Sequence, residues 1–264
     1  MNPTPVPAGI DSALEMKATA LIDALKQRAD PEKAKILSRF FKTGKGEYGE
    51  GDHFWGLTVP KTREVVRFYR GMALAEITQL LEHPVHEIRL AGWLLLVDSY
   101  QKADVNRQRE IFEFYLTSTR QANNWDLVDL SAPQIVGDYL VKQGDWTLLK
   151  RLIGSANLWE RRIAMVATLA FIKAGQFEPT CVLSEALLND RHDLMHKASG
   201  WMLREMGKRG GESELRQFLE QHSAAMPRTM LRYAIERLEP EERRQWLQRD
   251  RSLRLKQKAL PSSD

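Results

Sequence analysis

Cysteine is nearly absent: Cys181 is the only one among 264 residues. No intrachain disulfide can form, and a four-cysteine zinc site is excluded. A reducing cytoplasm is the expected compartment. Long apolar runs are missing as well, so no segment reads as a bilayer-spanning helix. The opening MNPTPVPAGIDSALEM has neither the basic nor the apolar region of a signal peptide, and no membrane partner is expected. Strand signals are equally scarce, with no convincing alternation and no Asn-Gly hairpin. Charge of one sign is in small excess only: 39 Lys and Arg stand against 35 Asp and Glu, for a net charge of +4 and a pI of about 9.1. The placement of the basic residues therefore matters more than their number.

What the chain does have is helix-forming sequence. Its 43% hydrophobic content supplies a core for one elongated domain or two compact ones. The expectation is one repeat domain over residues 1–240, then a basic and partly flexible tail over 241–264. Residues 11–29 carry apolar positions at helical spacing. Asp30 and Pro31 then restart a helix, as N-cap and first helical residue, and that helix carries Phe40 and Phe41. Residues 43–58 differ. They hold five glycines and read as an ordered surface loop. Gly44 to Gly49 formally match a dinucleotide fingerprint, but that motif needs a preceding strand, and Glu47, Glu50 and Asp52 would repel phosphate.

From about residue 60 the sequence repeats. HEIRLAGWLLLV, ERRIAMVATLAFI, MHKASGWMLREM and MLRYAIERL each set a basic residue ahead of a small or apolar helical stretch. The anchors are Arg89, Arg162, Lys197 and Arg232, at steps of 73, 35 and 35. The first step is double the others, so one further repeat lies near residue 127. Helix pairs of this length predict an all-α fold of HEAT-like repeats, stacked into a curved solenoid with a basic concave face. Trp93 and Trp201 fall at equal offsets after their anchors. Four cations in register and a basic tail favour a nucleic-acid backbone as partner. The plainer alternative is that each is an ordinary solvated helix position.

The repeat near residue 127, NNWDLVDLSAPQIVGDYL, breaks the row. Leu127 stands where the cation belongs, with Asp126 and Asp129 beside it. Trp125 and Asp129 are four apart and share a helix face. A scaffold that only grips DNA has no use for carboxylates there, whereas an enzyme cleaving DNA does. A structural ion pair of Asp129 with Arg161 or Arg162 is the competing assignment. Pro133 removes the N–H that would bond the Asp129 carbonyl. The helix then either bends at Asp129 or simply ends. Trp159 and Trp201, like Trp125, could each be core. His192 and His196, four apart, are a weak metal motif without a third ligand.

These residues carry a family resemblance. Trp125-Asp126-Leu127-Val128-Asp129 with Ala132-Pro133, then Trp159-Glu160-Arg161-Arg162, then Gly200-Trp201-Met202-Leu203-Arg204-Glu205, resemble the AlkD-type DNA alkylpurine glycosylases, DNA alkylation repair enzymes built from HEAT-like repeats. Pro31 to Ala34 and the GEGDHFWGLTVPKTR stretch are similar too, and the likeness runs from about residue 30 to about 240. It implies hydrolysis of the N-glycosidic bond of cationic alkylated purines, such as 3-methyladenine and 7-methylguanine, in double-stranded DNA. It implies Asp129 as the catalytic carboxylate, Trp125 and Trp201 as lesion-facing rings, and Arg162 and Arg204 as phosphate contacts. The family's early tyrosine corresponds to Phe40, which lacks the hydroxyl. Arg89, Lys197 and Arg232 complete the expected DNA-binding set.

The chemistry fits one carboxylate. A purine alkylated at N3 or N7 leaves as a neutral base and needs no general acid. Asp129 can stabilise the oxocarbenium-like sugar and hold the water, and tryptophan faces favour the cation. No metal or cofactor is needed, no lysine stands out as a nucleophile for strand cleavage, and a monomeric, monofunctional enzyme is expected. The resemblance also implies an open concave face in place of a deep pocket, which would tolerate bulky adducts. The alternatives are a silent HEAT-like DNA-binding module and a helical scaffold for protein partners.

Overall fold

The computed structural model describes residues 16–259, with side chains described to Arg249. The start of the helix expected at residue 11 and the tail beyond Ala259 lie outside the described residues. Those described are helical apart from turns, loops and one isolated bridge between His53 and Val85. No described helix is long and apolar enough to cross a membrane.

Two compact units divide the chain, the first ending at Ser131 and the second beginning at Ala132. The first holds α1 (Ala18–Lys26), α2 (Pro31–Phe40), α3 (Val59–Val66), α4 (Leu74–Leu81), α5 (His86–Lys102), α6 (Val105–Thr117) and α7 (Trp125–Ser131). The restart at Asp30 is as the sequence suggests: its carboxylate accepts from Lys33 N at 3.1 Å, and Pro31 opens the helix. Helix α5 is the centre of this unit and packs against α3, α4, α6 and α7. It is buried on all sides from Ile88 to Leu96, as an element without a polar face must be. Its buried charged residues, Glu87 and Arg89, lie with His86 near its start, where they meet the 43–58 loop, while Asp98 and Lys102 pair with each other near its end.

The second unit runs through a π-helical turn (Pro133–Gly137), α8 (Asp138–Gln143), α9 (Thr147–Ile153), α10 (Leu158–Lys173), α11 (Glu178–Ala186), α12 (Asp193–Lys208), α13 (Glu212–His222), α14 (Arg228–Ala234) and α15 (Pro240–Ala259). Alternate helices are neighbours. The π turn, α10, α12 and α14 pack in one row, and α9, α11 and α13 in a second. Glycine allows one of these approaches. A Cβ on Gly200 of α12 would lie 2.5 Å from the Met230 carbonyl of α14. The basic anchors are equivalent within this unit: Arg162, Lys197 and Arg232 are each the fifth residue of their helix. The segment expected as a tail is helical from Pro240 to Ala259, and Arg216 and Trp246 both bond Glu242 near its start.

Candidate active site around Trp125 and Asp129

Helix α7 is short, and its start is held by side chains. Asn124, fully buried, accepts from Trp125 N at 2.8 Å, and Asp126 accepts from Leu127 N at 3.0 Å. Leu127 and Val128 are fully buried, which turns Trp125, Asp126 and Asp129 toward the half-buried face. Beyond Ser131 the backbone widens into the π turn, where Gly137 N bonds Ala132 O at 2.9 Å. This five-residue spacing accommodates the ring and missing N–H of Pro133, so α7 ends at Ser131.

The indole of Trp125 lies on an aromatic platform. It stacks on Phe41 with centroids 5.3 Å apart and meets the Phe40 ring edge-on at 5.9 Å. Phe41 stacks in turn on Phe54 at 5.1 Å. Phe41 and Phe54 are buried, while Phe40 is 61% exposed and Ile36, one turn earlier, 64%. Such a platform holds one indole face rigidly and leaves the remaining surface for a ligand.

Asp129 stands one turn along the same face, half-buried. Beneath it Tyr115 is fully buried, its hydroxyl 3.0 Å from Ser131 Oγ. Burial and the negative charge of Asp129 push the Tyr115 pKa up despite the Ser131 bond, so the phenol stays neutral. In the second unit Arg161 pairs with Asp190 at 2.8 Å and donates to Ser155 O.

Behind Trp125 runs a chain of alternating charge that went unseen in the sequence. His86 Nε2 donates to Asp126 at 2.8 Å and Nδ1 to Asp52 at 3.1 Å. Asp52 also accepts from Arg89 and, at 3.2 Å, from Asn124 Nδ2. The imidazole is 2% exposed, packed against Phe54 at 4.7 Å and Phe41 at 4.9 Å. Burial works against the imidazolium, but the Asp126 charge and the bonds to both carboxylates outweigh it and raise its pKa to about 9. For Asp52 burial raises the pKa, while the His86 bond and the Arg89 charge more than offset it, leaving it below the usual carboxylate range.

Next in sequence, Glu87 is 1% exposed and its Oε1 accepts from the amides of Trp55, Gly56 and Leu57 at 2.8–3.1 Å. Gly56 sits at φ +87, with the Asp30 carbonyl 2.0 Å from where a Cβ would be. Only glycine fits there. The rest of the loop satisfies itself: Gly44 N bonds Glu47 and Gly46 N bonds Glu50. Its acidic residues thus cap its own amides, and Asp52 turns inward.

The expected cationic row separates into two kinds. Arg89, assigned from sequence to the DNA backbone, is 5% exposed and donates to Asp52 and to the carbonyls of His83 and Pro84. It is a buried structural cation, since desolvation on folding left it needing internal partners. Arg162 is 5% exposed and donates to Leu194 O at 2.8 Å. Lys197 is half-buried beside Asp193 at 2.8 Å, and Arg232 is exposed. Arg204 pairs with Glu236 and Glu205. Trp93 is fully buried, whereas Trp201 at the equal offset is half-buried, and Trp159 is core. His192 caps α12 and His196 bonds Asp190 O.

The family model of the DNA alkylation repair enzymes matches residues 21–238. No curated protein matches the chain. A solved structure titled as a predicted DNA alkylation repair enzyme from Enterococcus faecalis is similar in fold. It has 16% identity and a TM-score of 0.60, with 80% of this chain and 97% of that one covered.

Proposed function

The chain belongs to the DNA alkylation repair enzyme family, and from that premise we propose that it is a monofunctional DNA glycosylase hydrolysing the N-glycosidic bond of cationic alkylated purines. One observation carries this reading: Trp125 and Asp129 share a half-buried face of α7, with the indole held on Phe41 and Phe40. The stacked indole attracts the cationic base and sugar. The carboxylate stabilises positive charge as the C–N bond breaks and the base departs neutral, and it orients the water that attacks C1′. A leaving group that is already cationic needs no acid, so the single carboxylate is enough.

In the second unit the same reading gives phosphate contacts to Lys197, Arg204 and Arg232, a base-facing role to Trp201, and to Arg162 a more enclosed contact. The test is release of 7-methylguanine from methylated duplex DNA. The wild type should release it, and Asp129→Asn should lose release by 100-fold or more while still binding DNA. Binding without release by both proteins would instead identify a non-catalytic DNA-binding module.

A further inference from the structure

We propose that His86 is a positioning residue, an imidazolium clamp whose bonds to Asp126 and Asp52 fix the start of α7 and thereby the orientation of Trp125 and Asp129. Geometry sets the protonation state. Carboxylates only accept hydrogen bonds, so both ring nitrogens must carry hydrogen to face Asp126 at 2.8 Å and Asp52 at 3.1 Å. The charged and polar groups around the ring are Asp126 and Asn124 at the start of α7, Asp52 of the loop, and Arg89 and Glu87 on its own helix, with Glu87 directed to the loop amides. The sequence Asp126, His86, Asp52, Arg89 alternates in sign and leaves no uncompensated buried charge.

The coupling to the site is direct. Asp126 adjoins Trp125 in the first turn of α7, three residues before Asp129. The ring of His86 also packs on Phe41, the ring beneath the Trp125 indole. Loss of the proton leaves one nitrogen a lone pair facing a carboxylate oxygen. That contact turns repulsive, and the start of α7 and the platform under Trp125 lose their shared anchor. His86 touches no reacting atom in this scheme and acts through Asp126 and Phe41.

The catalytic part of this inference rests on the proposed glycosylase reaction, so two readouts are needed on the full-length protein. The first is single-turnover release of 7-methylguanine from duplex DNA between pH 6.5 and 9.5, corrected for spontaneous release. The second is the indole ¹⁵N–¹H resonance of Trp125, assigned by its loss in Trp125→Phe. In the wild type the rate should fall about fourfold by pH 9.5, and the resonance should move with the same midpoint. His86→Gln should lower the rate 10- to 100-fold at pH 7.5 with a flat profile, keeping affinity for undamaged DNA within about twofold. Wild-type rate and an unchanged alkaline limb in His86→Gln would overturn the clamp. So would a Trp125 resonance that stays still across the wild-type titration, which needs no variant to fold. If no base is released at any pH, the glycosylase reading falls alone, and the resonance still decides whether His86 positions Trp125.

Discussion

Trp125 and Phe41 stack 5.3 Å apart with their planes 19° from parallel. One ring opens α7 and the other closes α2, so the stack ties the carboxylate-bearing helix to the 43–58 loop that follows Phe41. Removing the lower ring tests that tie. Phe41→Ala empties a buried site, which costs about 3–5 kcal/mol, and urea unfolding should show it. Phe40→Ala, by contrast, removes a ring that is 61% exposed and should change stability by less than about 1 kcal/mol. Both should slow base release more than they weaken DNA binding.

Phe40→Tyr makes a narrower test. The ring is mostly in solvent, so an added hydroxyl meets no core, and stability should stay within about 0.5 kcal/mol. Substrate preference should respond instead, as the relative release of 3-methyladenine and 7-methylguanine, if a hydrogen bond from this side matters to the reaction. Unchanged preference would mean that the ring face alone serves.

Stability should depend on pH through His86. Its folded pKa is raised to about 9 against an ordinary 6.5. A raised pKa contributes stability that is complete below 6.5 and declines as pH climbs through 9. The contribution is on the order of 3 kcal/mol, and urea midpoints measured from pH 6 to 9.5 should fall in the wild type and stay flatter in His86→Gln. Asp52 behaves oppositely. Its lowered pKa gives stability present above the ordinary value of 3.8 and lost as pH falls through the folded one, so the same titration extended to acid should fall again.

Gly56→Ala should be among the most damaging small substitutions. The positive φ is strained for alanine, and the new methyl would meet the Asp30 carbonyl at 2.0 Å. A loss of roughly 2–4 kcal/mol is expected from strain and displacement together, visible as a lower thermal midpoint. Because the clash lies where the loop meets α2, release should weaken even at temperatures where the variant is folded.

Parts of this arrangement were legible in the sequence for a physical reason. Asp30 with Pro31, the helical periodicity and the shared face of Trp125 and Asp129 are local patterns, read at spacings of one to four residues. Phe41 beneath Trp125 and Asp52 beside His86 are long-range contacts with no local periodicity. One signal was available and went unused. His86, Glu87 and Arg89 crowd the start of a helix otherwise made of Ile88, Leu90, Ala91 and Trp93, and charges in so apolar a segment require buried partners. The same signal would have withdrawn Arg89 from the row of phosphate contacts.

The anchors should therefore respond differently to truncation, although they share one sequence pattern. Arg89→Ala removes one of the two cations that hold the buried Asp52, the other being His86, and breaking such a buried pair costs up to about 3–5 kcal/mol. Its effect should appear as unfolding, with no change in the salt dependence of whatever folded protein remains. Lys197→Ala and Arg232→Ala remove side chains that are half-buried and exposed, and should leave stability within about 0.5 kcal/mol. If each contacts a phosphate, the slope of log affinity against log salt should flatten by about 0.9 per substitution, equally for damaged and undamaged duplex. Salt titrations of all three variants separate the roles. A changed slope for Arg89→Ala with full stability would return it to the DNA surface, and unchanged slopes for Lys197→Ala and Arg232→Ala would remove those two from it.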